Sequence, residues 1–126
     1  MSLLSAVPAL PAADIKRAVQ HYVDKFGFEA RYVDDDYGVV GRDRVEIHLW
    51  PANKPDTAGA EPFIAGTASC RIEVEDVEGL YSELRAKEVI HENGALDDGP
   101  WGREFTTLDA DCNAVTFYQS ERQGPS

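Results

Sequence analysis

The sequence predicts an α+β fold in which two βαβββ modules form a curved, partly open mixed sheet, with the helices outside and a concave cleft. Two helical segments begin with the same Asp-apolar pair, Asp14-Ile15 and Asp76-Val77. Each helix is followed by strands in the same order, which favours a repeated module over a chance similarity. A chain of 126 residues has the size of one domain, so the two modules are expected to bury their apolar faces together.

Both helices are marked by capping residues and by apolar stripes. Asp14 stands where an N-cap belongs and Gly27 where the helix should end, which predicts a helix over Ile15 to Phe26. Asp76 caps the second helix in the same way. The apolar positions recur with helical spacing: Ile15, Ala18, Val19, Tyr22 and Phe26 in the first helix, and Val77, Leu80, Tyr81 and Leu84 in the second.

The first strand of each module precedes its helix. These strands are predicted over Leu4 to Leu10 and over Thr67 to Val74. A segment rich in proline, glycine and alanine separates the two halves. Module one therefore covers about residues 1–52, the linker about residues 53–66 and module two about residues 67–122 of a single domain.

Strand alternation predicts which side chains face the helices and which face the concave side. Along residues 45–49, Glu46 and His48 are expected on the concave side. In module two the residues expected on that side are Ser69, Arg71, Glu73, Thr116 and Tyr118. The residues expected to pack under the helices are Val45, Ile47, Leu49, Cys70, Ile72, Val74, Val115 and Phe117.

The net charge of −11 disfavours binding to nucleic acid, because a negative protein repels phosphate. The same charge attracts a cationic small molecule. No apolar run approaches the roughly 18 residues that span a bilayer, and no basic segment precedes the N-terminal apolar stretch, so a cytoplasmic protein without membrane contact is predicted. Cys70 and Cys112 are expected to be free thiols that pack as small apolar residues.

Several motifs resemble the glyoxalase/bleomycin-resistance group, the vicinal-oxygen-chelate superfamily. These are Pro11-Ala12-Ala13-Asp14-Ile15, Lys25-Phe26-Gly27-Phe28, Glu73-Val74-Glu75-Asp76-Val77 and Leu108-Asp109-Ala110-Asp111-Cys112-Asn113. A closer resemblance to bleomycin-resistance proteins is carried by Ser5-Ala6-Val7-Pro8, Val33-Asp34-Asp35-Asp36-Tyr37 and, above all, Pro100-Trp101-Gly102-Arg103-Glu104-Phe105. The resemblance extends over nearly the whole chain.

The resemblance also predicts how the chain treats metals. Enzymes of the superfamily hold a divalent metal with ligands from the first and last strands of each module, and the matching positions here are Val7, Glu46, Ser69 and Thr116. Of these, Glu46 alone is a good ligand, whereas a catalytic site needs about three protein ligands. The chain is therefore expected to use no metal or other cofactor and to be a binding protein, not an enzyme.

In the resistance proteins that this chain resembles, aromatic rings hold the flat part of the drug and acidic surface meets its cationic tail. Trp101 and Tyr37 match the ring positions, and rings of this kind stack on flat heterocycles and attract cations. A tryptophan at a strand start also occurs in cores and dimer interfaces, and an aspartate run is usually a solvated turn. The predicted ligand-binding residues are Trp101, Tyr37, Tyr32, Gly102, Asp35, Asp36, Glu46, His48, Ser69 and Arg71.

Three functions stay open at this point. The leading hypothesis is sequestration of a bleomycin-type glycopeptide antibiotic, which confers resistance. The second is metal-free binding of another aromatic small molecule. The third is an enzyme, either a metal-dependent glyoxalase or dioxygenase or a metal-free one with Glu46 and His48 as an acid-base pair. An ordinary polar strand face is the preferred explanation of that pair.

The resemblance further implies a homodimer with clefts between its subunits. Pro8 and Pro11 stand at the end of the first strand, where they stiffen the connection to Asp14. A stiff, short connection favours exchange of the first strand between identical chains. The alternative is that these prolines only shape the start of the helix.

Overall fold

The computed structural model describes residues 1–52, 68–100 and 102–120. The predicted linker at residues 53–66 and Trp101 lie outside the described residues. The described part contains two βαβββ modules in succession, as the sequence predicts. The elements are β1 (Ala9–Ala12), α1 (Ile15–Phe26), β2 (Glu29–Val33), β3 (Gly38–Arg42), β4 (Val45–Pro51), β5 (Ser69–Glu73), α2 (Val77–Arg85), β6 (Asp97–Gly99), β7 (Gly102–Leu108) and β8 (Ala114–Gln119).

Within the described residues, the strands form two separate four-stranded sheets. Module one has the strand order β1-β4-β3-β2, and module two has the equivalent order β5-β8-β7-β6. The first strand of each module runs parallel to the last, whereas the other neighbouring pairs are antiparallel. The predicted α+β fold with open mixed strands is confirmed, and its strands are divided between two sheets.

The capping predictions for both helices are confirmed. The Asp14 carboxylate accepts the backbone N–H of Arg17 at 3.1 Å, and Gly27 ends α1 in the left-handed conformation with φ 71°. The Asp76 carboxylate accepts the backbone N–H of Gly79 at 3.0 Å. In the part of the chain that the structure describes, neither helix is long and apolar enough to cross a membrane.

The first strand of module one is shorter than predicted. The expected strand over Leu4 to Leu10 is wrong, because β1 begins only at Ala9, where pairing with β4 starts. Leu10 is 2% exposed and belongs to the core, whereas Leu3 and Leu4 are 98% and 93% exposed. Residues 1–7 therefore form an exposed N-terminal arm that leads through the half-buried Pro8 into β1.

The two modules share one hydrophobic core. The ring of Phe26, at the end of α1, lies 6.4 Å from the ring of Phe117 in β8, measured between centroids. Phe117 stacks on Phe105 of β7 at 5.4 Å, and Tyr22 packs on Phe26 at 5.1 Å. Aromatic side chains from both modules thus close the core between them, which fits the expectation that neither module buries its apolar face alone.

A buried polar network also joins the modules, and sequence reasoning did not identify it. Asp109, in the β7–β8 turn, accepts the Tyr22 hydroxyl at 2.7 Å and the Asn113 side-chain amide at 3.1 Å. The same amide of Asn113 donates to the Pro11 carbonyl at 2.8 Å. Burial, and then the charge of Asp109, raise the pKa of Tyr22 well above its ordinary value, so the hydroxyl stays protonated and donates.

The two cysteines differ from each other. Cys70 is half-buried against the core, as predicted, and burial raises the pKa of its thiol to about 11. The prediction that Cys112 packs as a small apolar residue is wrong. Cys112 is exposed in the β7–β8 turn with a positive φ of 64°, because the tight turn around Asp109 points its side chain away from the core.

Candidate functional site

The open face of module one is the side of its sheet that faces away from the core. Ile47 and Leu49 in β4 are fully buried, whereas Glu46 and His48 are only half-buried. His48 pairs across the sheet with Val39 of β3. The alternation that the sequence predicts is confirmed, and it places Glu46 and His48 near the middle of the open face.

Tyr37 is held against His48 on this face. Its phenolic oxygen lies 2.8 Å from Nδ1 of His48, and the two rings meet edge to face with their centroids 5.5 Å apart. The other ring nitrogen of His48, Nε2, lies 3.5 Å from Oε1 of Glu46. The structure therefore brings three of the predicted site residues, Tyr37, His48 and Glu46, into one connected group.

A β-bulge in β2 adds a cation to this group. The pairing of β2 with β3 shifts its register between Ala30 and Tyr32, so Arg31 turns toward the open face beside Tyr32. Arg31 donates to Oε2 of Glu46 at 3.2 Å. A Cβ at Gly41 would collide with the Arg31 guanidinium, so the glycine leaves the space that Arg31 fills. Sequence reasoning missed Arg31, because a bulge interrupts the two-residue period on which the prediction relied.

The turn before β3 is organised by Asp34, which the prediction did not single out. Its carboxylate accepts the backbone N–H groups of Asp36 at 2.7 Å and Tyr37 at 2.8 Å. It also accepts the hydroxyl of Tyr32. This hydrogen bond lowers the pKa of Asp34 and raises the pKa of Tyr32. Asp34 thus fixes the backbone from which the Tyr37 side chain projects.

Three of the predicted site residues in module one, Tyr32, Asp35 and Asp36, are exposed to solvent. Tyr32 is 53% exposed and pairs with Val39, the residue that also pairs with His48, so its ring shares the open face. Asp35 forms an exposed ion pair with Lys16 at 3.1 Å. The Asp35 side chain is 83% exposed in this pair, and exposed ion pairs of this kind contribute little to stability.

Module two has an open face of its own, formed by β5, β8 and β7. Arg71 donates to Glu104 at 2.8 Å, and its guanidinium carbon lies 5.2 Å from the centre of the Tyr118 ring. Ser69 is exposed at the start of β5. Ser69 and Arg71 lie on the open side of β5, as predicted. Tyr118, also predicted on this side, is a ring that the cation of Arg71 already covers.

Gly102 has a structural reason to be glycine. Its φ is 121°, and a Cβ there would collide with the carbonyl oxygen of Gln119 in β8. The residue is buried in the β7–β8 pairing. This packing accounts for the glycine at position 102. Trp101, the residue before it, lies outside the described residues.

The positions that hold a metal in enzymes of this fold do not fit a metal here. Val7 offers no lone pair, and the hydroxyl of Thr116 is buried and hydrogen-bonded to Thr106 at 2.8 Å. Glu46 is already paired with Arg31. Among residues 1–52, 68–100 and 102–120, no cluster of three histidine, cysteine, aspartate or glutamate side chains could hold a metal ion.

Trp50 is a further residue of the open face that the prediction missed. It follows Glu46 and His48 by the same alternation in β4, and its indole N–H donates to the Ala9 carbonyl at 3.3 Å. Extending the alternation by two residues would have identified it. Trp50 therefore adds a half-buried ring beside the point where the N-terminal arm enters β1.

A groove of about 720 Å³ lies elsewhere, where the two modules meet. Phe26, Ile72 and Phe117 lie along it, and Arg42 bridges it with hydrogen bonds to Glu83 at 2.6 and 3.0 Å. Among the residues that the structure describes, no predicted ligand-binding residue lines this groove. The modules thus meet through their core-facing sides, while Glu46, His48 and Arg71 lie on the open faces.

The profile of the glyoxalase/bleomycin resistance protein/dioxygenase superfamily matches residues 5–117. The chain belongs to this superfamily. Bleomycin resistance proteins of Geobacillus stearothermophilus and Staphylococcus aureus are each 41% identical to it over 128 residues, which cover 93% of this chain and 97% of theirs.

The superfamily fold is shared with solved structures of similar length. The bleomycin-binding protein of Streptomyces verticillus, solved in complex with copper(II)-bleomycin, superposes with a TM-score of 0.80 at 30% identity. That match covers 96% of this chain and 99% of the Streptomyces chain. The superfamily membership inferred from short motifs is therefore confirmed.

Proposed function

We propose that this protein binds and sequesters a bleomycin-type glycopeptide antibiotic and thereby confers resistance to it. The observation that carries the proposal is the connected open face of Tyr37, His48 and Glu46, found in a chain that is 41% identical to bleomycin resistance proteins over almost its full length. Tyr32 and Trp50 add further rings to that face. Rings arranged around a polar centre suit a flat ligand that also carries hydrogen-bonding groups.

Charge supports the same assignment. The net charge of −11 attracts a cationic ligand. The exposed carboxylate of Asp35 belongs to the β2–β3 connection, two residues before Tyr37. The proposed role is binding rather than catalysis, because Val7, Ser69 and Thr116 supply no adequate metal ligand set. The two free thiols fit a cytoplasmic location, which we include in the proposal.

A thermal-shift comparison tests the proposed function. Bleomycin at about 100 times its Kd should stabilise the native protein by about 2.7 kcal/mol, because it binds the folded state alone. For a chain of this size that corresponds to a rise in Tm on the order of 10 °C. Zinc, nickel or manganese chloride alone should give no comparable shift. A large shift with a metal and none with bleomycin would contradict the proposal, and a shift with a different planar compound would redirect it.

We further propose that the protein is a homodimer whose clefts lie between subunits. The two open faces of one chain do not meet, since the modules contact each other through their core-facing sides. Leu3 and Leu4 in the N-terminal arm are almost fully exposed. Apolar side chains this exposed favour burial against a second chain. Exchange of the arm between subunits would bury them and complete each cleft with residues from both chains.

Light scattering at micromolar concentration should give a mass near twice the 13.9 kDa of one chain, and titration should saturate at two drug molecules per dimer. Leu3→Asp combined with Leu4→Asp should shift the protein toward monomer and weaken drug binding together, because the arm can no longer be buried. Ser2→Asp adds the same kind of charge to the arm without removing an apolar side chain and should leave the dimer intact. A monomer that binds drug tightly would rule out the shared cleft.

A further inference from the structure

The open face of module one holds a chain of polar contacts. The positions of the protons in this chain decide whether the Tyr37 oxygen offers a ligand a hydrogen-bond acceptor or a donor. Tyr37 contacts Nδ1 of His48 at 2.8 Å, Nε2 of His48 faces Glu46 at 3.5 Å, and Glu46 is paired with Arg31 at 3.2 Å. A neutral histidine carries its proton on one ring nitrogen and accepts on the other. The neighbours of each nitrogen therefore decide which way the hydrogen bonds run.

We infer that His48 is a positioning residue for Tyr37 and makes its phenolic oxygen a hydrogen-bond acceptor toward the open face. The ligand group placed there is then a hydrogen-bond donor, such as an amide N–H or an ammonium. This inference rests on the proposed function and deepens it, since it names the chemistry of one ligand group. It concerns the geometry around Tyr37 and no catalytic step.

The carboxylate of Glu46 determines the tautomer. A carboxylate accepts only, so its position beside Nε2 stabilises the proton on that nitrogen. Nδ1 is then an acceptor and takes the hydroxyl proton of Tyr37. With its hydrogen directed at His48, the Tyr37 oxygen presents its lone pairs to whatever occupies the face.

The surrounding elements hold this arrangement in place. Asp34 fixes the backbone of Tyr37 through its N–H group, and the edge-to-face contact with His48 fixes the ring. The charged and titratable groups that the structure places around His48 are Glu46 on its own strand, Tyr37 at the start of β3 and Arg31 from β2. From β1 the paired residue is Ala9, which carries no charge.

Protonation of His48 reverses the hydrogen bond. With protons on both ring nitrogens, Nδ1–H donates to the Tyr37 oxygen and occupies one of its lone pairs. The Tyr37 hydroxyl keeps its hydrogen, which no longer points at His48. The Tyr37 oxygen is then a poorer acceptor for a donor group of the ligand, and the positive imidazolium repels a cationic ligand group. Both effects would weaken binding of a donor group, so the neutral form of His48 is the one that suits the ligand.

Titration of bleomycin by calorimetry tests the ligand half of the inference with wild type, His48→Leu, His48→Gln and His91→Gln. His48→Leu removes the acceptor of the Tyr37 hydroxyl and should raise the Kd about three- to tenfold. His48→Gln keeps an oxygen that can accept that hydroxyl and should lose less affinity than His48→Leu. His91→Gln removes a histidine from the connection between α2 and β6 and should follow wild type.

The tautomer is measured without drug, by long-range ¹H–¹⁵N correlation of the histidine rings at pH 8.0. His48 should carry its proton on Nε2, and its Nδ1 shift should move in Tyr37→Phe. A proton on Nδ1 overturns the inference, and so does a His48→Gln variant that loses as much affinity as His48→Leu. Absence of bleomycin binding to wild type overturns the proposed function instead, whereas the tautomer still decides the state of the Tyr37 oxygen.

Discussion

Replacing Asp109 with alanine is expected to destabilise the protein by about 3–5 kcal/mol, a large part of the stability of a domain this size. Asp109 is 6% exposed and accepts the Tyr22 hydroxyl, the Asn113 side-chain amide and the backbone N–H groups of Asp111 and Asn113. Alanine would remove all of these acceptor contacts, among them that of the buried Tyr22 hydroxyl, and a buried donor left unsatisfied costs about 1–3 kcal/mol. Urea unfolding followed by circular dichroism measures the loss.

Two variants separate this network from a generic loss of an aspartate. Asp76→Ala makes the same substitution at an exposed helix cap and should cost about 1 kcal/mol. Tyr22→Phe removes one hydroxyl of the network while keeping the ring and should cost about 1 kcal/mol. The double variant Asp109→Ala with Tyr22→Phe should cost less than the sum of the two, since the two groups are partners. An Asp109→Ala variant as stable as Asp76→Ala would show that the network does not hold the modules together.

Replacing Trp101 with alanine is expected to weaken bleomycin binding by about 1–3 kcal/mol, the range found when one aromatic ring stacked on a planar base is removed. This corresponds to a Kd that is about 5- to 150-fold higher. The physical reason is the loss of a large, rigid ring surface that a flat heterocycle covers at low entropic cost. Calorimetric titration measures the change, and near-native circular dichroism and Tm verify that the variant is folded.

Tyr37→Ala is the comparison for this experiment. It removes a smaller ring together with the contact to His48 and should weaken binding less than Trp101→Ala. If Trp101→Ala unfolds the protein, the indole belongs to the core or to the dimer interface, as a tryptophan at a strand start often does. If the variant is folded and binds bleomycin as wild type does, Trp101 does not contact the drug.

The local structure of this protein is determined by its sequence. Asp14, Asp76 and Gly27 mark helix ends through hydrogen bonds and a left-handed conformation that involve only neighbouring residues. Alternation along β4 placed Ile47 in the core and His48 on the open face, because the side chains of a strand point to opposite sides in turn. Patterns of this kind can be read along the chain without knowledge of distant contacts.

The contacts that define the candidate site were decided only by the tertiary structure. Tyr37 meets His48, and Arg31 meets Glu46, because a turn, a bulge and a strand register bring these side chains together. A bulge adds one residue to a strand, and nothing in the periodicity of β2 marks where it falls.

The same holds for the junction between the modules and for the ends of the first strand. Tyr22 and Asp109 are 87 residues apart in sequence, and their hydrogen bond depends on how two separate sheets pack on one core. The strand predicted from Leu4 starts only at Ala9, because a strand exists where a partner strand offers hydrogen bonds, and the first of these runs from His48 of β4 to the Pro8 carbonyl. Local chemistry determined the helices, their caps and the alternating faces, whereas long-range packing decided which of those faces and turns meet.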